Sequence, residues 1–529
     1  MGQKSLMSAK LDLVDFQSLK RVHIVGVCGT LMGAFAAFLK RKGIQVTGSD
    51  QNIYPPMSDI LKQAGVELLT GYHPENLLSH GVRPDLIVIG NVIRADNPEA
   101  VAALQGGYFY VSLPEAMEKL FLQRTRNLVV AGTHGKTTTS SILAHTLVTC
   151  KKNPSYFIGG VSYDLPVSFH LAGQDASYGP VGQGPQERGD RPTAQGGANP
   201  SPLFVLEGDE YDTAFWDKVP KFNHYCPDDV ILTSVEYDHA DIYPDFAAVV
   251  KAFEGLVQRI RPGGRLIACF DYESVRRLSA GAKVPVISYS SGDRGESRGQ
   301  RSLEPPARYT PGNVRFVDDQ TYFEILDQGE RVAEITLQIP GMHNVLNALA
   351  VWIQCRELGM DALAVAAALR SFQGVKRRQE VKGEVGGVLV VDDFAHHPTA
   401  VRETLRALRA KYPTRRLVAS FEPRSATSRR KVFQNDYAVA LGEADLIYIA
   451  APFDQSRIAV ADQFSSETLV EDLQRAGKKA QVFQTVQEGV RVVAAAAQPG
   501  DLVAVLSNGG FGGFVSKLLE LLRGAERGP

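Results

Sequence analysis

The stretch Asn127–Ser141, NLVVAGTHGKTTTSS, decides how this chain is read. Leu128, Val129, Val130 and Ala131 form a short apolar run, Gly132 and Gly135 break it, and from Thr137 onward Ile142, Leu143 and Leu147 fall at helical spacing. Strand, glycine turn and helix in that order describe a phosphate-binding loop. Glycines let backbone N–H groups approach phosphate oxygens, and the helix N-terminus adds partial positive charge. Lys136 can then reach β- and γ-phosphates, while the Thr137 hydroxyl can sit on Mg2+. Thr133, His134 and Thr138 complete the cradle expected to hold the nucleotide. The common loop has four residues between its first glycine and the Gly-Lys pair; here only Thr133 and His134 intervene. The alternative is a plain strand-turn-helix with a surface lysine, and the order of strand, glycines, Lys, Thr and helix argues against it.

A chain of 529 residues is too long for one core and predicts about three domains. A hydrophobic fraction of 44% and a formal net charge of −1 are an ordinary globular composition. Nothing in it argues for a nucleic-acid or membrane surface. The first 20 residues lack a signal-like apolar core, and no run of about 18 uncharged apolar residues predicts a membrane span. Cys28, Cys150, Cys226, Cys269 and Cys355 are scattered, without a Cys-x-x-Cys pair. A reducing, cytoplasmic compartment is the expectation.

Upstream of the loop, Arg21–Asp50 reads RVHIVGVCGTLMGAFAAFLKRKGIQVTGSD. His23–Val27 predicts a buried strand. Gly26, Gly29 and Gly33 mark a turn into a helix that runs to about Lys42, and Ile44–Gly48 predicts a second strand ending at Ser49-Asp50. This is a Rossmann-like start. The glycine spacing is G-x-x-G-x-x-x-G rather than the dinucleotide pattern, so a nucleotide-sugar diphosphate on the helix N-terminus is as sensible physically as NAD. Strands at Val66–Leu69 and Leu86–Gly90 and a helix at Leu113–Leu120 complete a first domain over residues 20–124.

A central domain is expected over residues 125–375. Tyr156–Val161 predicts a strand, and 173–202 is a polar Gly/Pro/Gln-rich insertion read as disordered. Leu203–Leu206 predicts a strand ending in EGDEYD (207–212), and Ile231–Val235 another ending in EYDHAD (236–241). Two acidic clusters at strand ends are solvated loops or a metal corner. Mg2+ takes hard oxygen ligands and parallel sheets present ligands at strand C-termini, so Glu207 and His239 are the candidate ligands. Strands at Leu266–Ala268 and Val286–Tyr289, a polar, basic stretch at Gly292–Pro311, and antiparallel strands near 314–316, 322–326 and 333–338 follow. In IPGMHNVLNALA (339–350) a Pro-Gly turn leads into a helix with Asn344 and Asn347 on one face. Their amides suit an adenine edge or helix capping.

The last domain, residues 376–525, alternates strand and helix again, which implies a parallel sheet. Arg377, Arg378, His396, His397 and Arg424 all fall next to strand edges and suggest an anionic ligand.

Taken together, AGTHGKTTT (131–139), LEGDEYD (206–212), SVEYDHAD (234–241), GMHNVLNALA (341–350) and DDFAHHPTAV (392–401) resemble the Mur ligase family, the ATP-dependent amide ligases of peptidoglycan assembly. The short phosphate loop is that family's own form. The resemblance implies an α/β fold in three domains: a Rossmann-like UDP-sugar-binding domain, a P-loop ATPase domain and a Rossmann-like C-terminal domain. It implies ATP and Mg2+, with Thr137, Glu207 and His239 as metal ligands and Asn344 and Asn347 on the adenine side. Lys136, His239, Arg378, Asp393 and His396 are the implied catalytic set. Gly26, Gly29, Thr30 and Asp50 would hold the UDP-sugar, and Arg424 and Ser425 the peptide. GVCGTLMGAFA, SDQNIYPPMS, GNVIRADNPE and EYDTAFWDKVPKFNHYCP (210–227) resemble the family branch that recycles murein peptides. That branch joins UDP-N-acetylmuramate to the tripeptide L-alanyl-γ-D-glutamyl-meso-diaminopimelate. The branch that uses free L-alanine, a non-catalytic UDP-sugar sensor and a nicotinamide oxidoreductase are the rivals. Some family members carry a carbamylated lysine after the Asp-His pair; Glu254 falls nearest that place and Lys251 one turn earlier, so none is assigned.

Overall fold

Uninterrupted Val, Ile and Leu runs make strands that can be buried on both faces, the signature of parallel sheets covered by helices. β4 (Leu86–Ile89) follows that rule throughout and β1 (Arg21–Val25) nearly so, while β2 (Gln45–Asp50), β3 (Glu67–Thr70) and β5 (Tyr110–Ser112) are more polar or more exposed. In the computed structural model the five pair in parallel in the order β3-β2-β1-β4-β5. The order reverses at β1, so the glycine turn after β1 opens at the switch point where such sheets take ligands. The structure describes residues 18–53, 57–172, 201–292, 306–317 and 319–526. Nearly all of the polar insertion at 173–202, and most of the stretch 292–311, lie outside the described residues.

The chain divides into two compact units. One holds Met1–Gly132, Thr139–Val235 and Val250–Ile287; the other holds Thr133–Thr138, Glu236–Val249 and Ser288–Pro529. The first unit contains β6 (Arg126–Ala131), β7 (Ser155–Phe157), β8 (Phe169–His170), β9 (Leu203–Gly208), β10 (Asp212–Ala214), β11 (Asp217–Pro220), β12 (Asp229–Leu232) and β13 (Arg265–Cys269). These run β13-β12-β6-β9-β7-β8, parallel except for β8 against β7. Two expected strands are shorter than read: Tyr156–Val161 is β7, ending at Phe157, and Ile231–Val235 is β12, ending at Leu232.

β10 and β11 form a separate antiparallel hairpin that the sequence reading does not contain. At its turn Phe215 and Trp216 pack on the apolar cluster of Val25, Ile87, Ile89 and Ile93. Trp216 also meets Tyr110 edge-on at 5.2 Å. The stretch after the acidic cluster therefore fastens the central sheet's hairpin to the first sheet, within the same unit.

The second unit opens around β14 (Val286–Tyr289), which spans its boundary in sequence, and continues with β15 (Tyr309–Val317), β16 (Gln320–Asp327) and β17 (Glu330–Leu337). The last three form an antiparallel meander. The long helix Met342–Glu357 follows, buried along most of its length. Then come β18 (Glu380–Val385), β19 (Val388–Asp393), β20 (Arg416–Phe421), β21 (Leu446–Ala450), β22 (Lys479–Phe483) and β23 (Asp501–Leu506), in the order β18-β19-β23-β20-β21-β22. Only β18 is antiparallel. Apolar clusters cover both faces of this sheet, one around Leu405, Phe421 and Tyr437, the other around Phe483, Phe514 and Leu518.

Candidate active site

β6 delivers the chain into the phosphate loop, and the loop's glycines answer to its packing. Gly132 has φ +138, and a Cβ there would lie 2.2 Å from Thr233 Oγ1 and 2.8 Å from the Ser234 backbone. Gly135 has φ +79, and a Cβ would lie 2.8 Å from Asn347 Oδ1. Only glycine fits either place. The helix Lys136–Thr149 starts at the next residue, with Thr137 and Thr138 buried in its first turn. The lysine ammonium rests on the Thr133 carbonyl at 3.2 Å. Loop backbone, helix N-terminus, lysine and hydroxyls are thus assembled as an anion cradle.

Asn347, which the sequence reading offers to adenine or to capping, faces Gly135 of this loop. Asn344 does not cap: its amide donates to the Pro340 carbonyl at 2.7 Å, and Asn347 donates to its Oδ1 at 3.3 Å. The pair is buried.

The acidic segment after β12 docks on the same loop. The Glu236 amide donates to Thr133 Oγ1 at 2.8 Å, and the Glu236 carboxylate meets His134 Nε2 at 2.8 Å. Thr399 donates to the other Glu236 oxygen at 3.0 Å. Burial raises the Glu236 pKa, but the bond and charge of His134 outweigh it and bring it to about 2. His397 stacks at 4.5 Å from His134 and is buried; burial, and then the His134 charge, push its pKa down to about 3, so it is neutral. His134, Glu236 and His397 bring three ligand-type atoms within 4.8 Å of one another. Their hydrogen bonds favour a His134–Glu236 contact beside a neutral His397 imidazole over a metal centre. His397 Nε2 donates to the Tyr237 carbonyl at 3.3 Å, and Nδ1 accepts from the Thr399 amide at 3.3 Å. Both ring nitrogens are committed.

His239 sits at φ +56, left-handed backbone for a non-glycine residue. In the first unit, Glu207 near the end of β9 accepts from the Gly159 amide at 2.7 Å. The C-terminal candidates divide. Asp393 is buried, with Oδ2 taking the Gln379 amide and Oδ1 the Ala395 amide, both at 2.7 Å, and burial raises its pKa. It fixes the turn that carries Arg378. The Arg378 guanidinium lies 4.7 Å above the Phe394 ring. Arg377 is lashed inward, donating to the Ser507 and Gly509 carbonyls at 2.6 Å each. His396 Nε2 lies 3.7 Å from Asp238, whose pKa is held well below the usual range: burial opposes this, and the hydrogen bond to His396 does most to lower it. Arg424 stacks on Phe453 at 4.0 Å and reaches Glu422 at 3.3 Å, while Ser425 accepts the Ser428 amide at 2.9 Å.

At the first sheet, the Gly26 amide donates to the Ser49 carbonyl at 2.9 Å, and Gly29 precedes the helix Thr30–Arg41. Asp50 accepts the Cys28 amide at 2.9 Å and the Asn52 amide at 3.1 Å, so it braces the glycine turn. Beneath lies a residue the sequence reading passes over. Glu99, fully buried, takes bonds from Ser49, Asn76 and the His73 amide, and His23 is 3.4 Å away. Asn97-Pro98-Glu99 looks like an ordinary helix start in sequence and carries no sign of this role.

Three family descriptions match consecutive parts of the chain: "Mur ligase family, catalytic domain" at 21–125, "Mur ligase middle domain" at 130–355, and "Mur ligase, glutamate ligase domain" at 377–509. The chain is 37% identical over 505 residues to the UDP-N-acetylmuramate–L-alanyl-γ-D-glutamyl-meso-2,6-diaminoheptandioate ligase of Escherichia coli, covering 94% of this chain and 98% of that protein. It is 36% identical over 434 residues to the UDP-N-acetylmuramate–L-alanine ligase of Kineococcus radiotolerans, covering 82% and 81%. Among solved structures, the murein peptide ligase of Psychrobacter arcticus superposes with a TM-score of 0.66 at 32% identity, covering 95% of this chain and 99% of that one. An anion cradle of this short form, met along nearly its whole length by likeness of this extent, places the chain in the Mur ligase family.

Proposed function

We propose that the chain is an ATP-dependent amide ligase joining the lactyl carboxylate of UDP-N-acetylmuramate to the amine of L-alanyl-γ-D-glutamyl-meso-diaminopimelate, in murein-peptide recycling. The observation that carries this reading is the full-length likeness to a ligase of that name, reaching 37% identity, on a chain whose phosphate loop is built and packed. The course of the reaction is the one that membership of the Mur ligase family implies. The loop amides and Lys136 hold the ATP phosphates in line with the carboxylate. A carboxylate oxygen takes the γ-phosphoryl group and ADP leaves. The neutral tripeptide amine attacks the acyl carbon of that acyl phosphate, the C–O bond to phosphate breaks, and phosphate leaves with the proton the nitrogen gives up as the amide forms.

ATP fits the cradle that a Cβ at Gly132 or Gly135 would fill. Thr137 would offer Mg2+ a hydroxyl, Glu207 a carboxylate oxygen and His239 an imidazole nitrogen, and the ion would neutralise developing phosphate charge. Arg378, on the turn that Asp393 fixes, serves the terminal phosphate, and Asn347 places the nucleotide against Gly135. His396 belongs to this machinery through Asp238. Gly26, Gly29, Thr30 and Asp50 hold the UDP-sugar; Arg424 and Ser425 serve the peptide. Among the described residues no helix is long and apolar enough to cross a membrane, in keeping with a cytoplasmic ligase.

Phosphate release with ATP, Mg2+ and UDP-N-acetylmuramate, supplemented with either tripeptide or L-alanine, tests the proposal. Turnover with the tripeptide alone is expected. Turnover preferring L-alanine would transfer the chain to the function named for its Kineococcus relative. Silence with both, while UDP-sugar still binds, would mark a sensor.

A further inference from the structure

Five consecutive residues after β12, Glu236 to Ala240, are gripped by the C-terminal part of the second unit. Thr399 holds the Glu236 carboxylate, and His397 holds the Tyr237 carbonyl. Thr427 holds both sides of the next residue. Its hydroxyl donates to Asp238 Oδ1 at 2.6 Å and accepts the Ala240 amide at 3.2 Å. Asp238 Oδ1 also takes the His239 amide at 2.7 Å. His239 thus lies inside a closed hydrogen-bonded ring, and Thr427 and Asp238 are both buried. His239 occupies left-handed backbone at φ +56, uncommon for a residue with a Cβ, and this ring of hydrogen bonds holds it there. On the far side its carbonyl takes the Ile242 and Tyr243 amides, each at 3.0 Å.

We propose that Thr427 is a positioning residue for the ligation reaction: its hydroxyl fixes the left-handed backbone of His239, and so the C-terminal domain sets the direction of that imidazole. The inference rests on the reading of His239 as a Mg2+ ligand given above. It makes the orientation of a proposed ligand depend on a residue outside the proposed ligand set. Supports of a ligand's orientation are typically worth about 10- to 100-fold in metal affinity or activity. Thr427 acts through the charged Asp238 carboxylate, where hydrogen bonds are strongest. Removing the hydroxyl leaves the buried Asp238 carboxylate and the part-buried Ala240 amide without their shared partner.

The test is Mn2+ binding to the full chain, read by electron paramagnetic resonance with a non-hydrolysable ATP analogue and UDP-N-acetylmuramate present, alongside steady-state kinetics. Thr427→Val should weaken Mn2+ about 10- to 100-fold and lower kcat by a similar factor, with KM for UDP-N-acetylmuramate unchanged. Thr427→Ser should restore both. Asp238→Asn should reproduce the Val phenotype, and it carries the test if the Val variant fails to fold. Mn2+ affinity and kcat at wild-type level in folded Thr427→Val, whatever its melting temperature, overturn the inference. His239→Ala separates the two claims. If it weakens Mn2+ while Thr427→Val does not, only the coupling is wrong; if it leaves Mn2+ binding intact, the assignment of His239 as a ligand falls, and the inference with it.

Discussion

At the scale of single residues, the two loop glycines make opposite demands on their neighbours. The atom facing Gly135 is the amide oxygen of Asn347, the end of a side chain that can rotate away. The atoms facing Gly132 include the Ser234 backbone, which cannot. Both positions carry the left-handed penalty of about 1–2 kcal/mol for a Cβ. Gly135→Ala should therefore cost about that much stability while displacing Asn347, with ATP-analogue affinity falling at least about tenfold, equivalent to roughly 1.4 kcal/mol. Gly132→Ala adds overpacking of about 1–3 kcal/mol and should melt well below Gly135→Ala. Equal melting temperatures for the two variants would mean the loop is not packed as described. At the same scale, the sequence displays Asp393 within DDFAHHPTAV but not the bonds it makes: its oxygens take the Gln379 and Ala395 amides and so fix the turn that carries Arg378.

At the scale of elements, His224 joins three of them. It lies in the short helix Lys221–His224, its Nδ1 meets Glu118 of the helix Leu113–Leu120, and its Nε2 meets Asp217 of β11, both at 2.8 Å. Burial lowers its pKa, but the bonds to Asp217 and Glu118 prevail and raise it to about 9. A histidine pKa raised on folding gives stability that is complete below the unfolded value of about 6.5 and disappears as pH rises through about 9. The shift amounts to on the order of 3 kcal/mol. Urea unfolding of the first unit, followed by hydrogen exchange from pH 6 to 9.5, should show that loss, and His224→Gln should abolish the slope. A wild type whose stability is flat across this window refutes the clamp. Elements of this kind were the least legible in the sequence. β10 and β11 are three and four residues long, too short for periodicity to register. β18 and β22 are charged, half-exposed sheet edges, whereas β4 and β23, buried throughout, announce themselves as apolar runs.

At the scale of the whole molecule, what the sequence displays is contiguous and what it hides is distant. The phosphate loop is legible because strand, glycines, lysine and helix are neighbours in the chain. The grip on His239 is not, because Thr427 meets Asp238 across 189 positions and sits in a loop of serines and arginines with no motif of its own. The division into units cuts across the sequence in the same way: Thr133–Thr138 and Glu236–Val249 cluster with the C-terminal half, while the glycine turn at Gly26 lies in the first unit. That division predicts where each ligand stabilises. A ligand that binds only the folded state adds about 2.7 kcal/mol at 100 times its Kd. UDP-N-acetylmuramate on Gly26 and Asp50 should slow hydrogen exchange chiefly at core amides of the first sheet, such as Ile24 and Val88. A non-hydrolysable ATP analogue on Gly135 and Lys136 should act chiefly at β19 and β23, such as Val391 and Val505, since Thr133–Thr138 of the loop belong with that unit. Native-state exchange reads both sets of amides in one experiment. If the ATP analogue alone protects Ile24 and Val88 as strongly as Val391 and Val505, the nucleotide does not discriminate between the two units. The phosphate loop's membership of the second would then have no thermodynamic meaning.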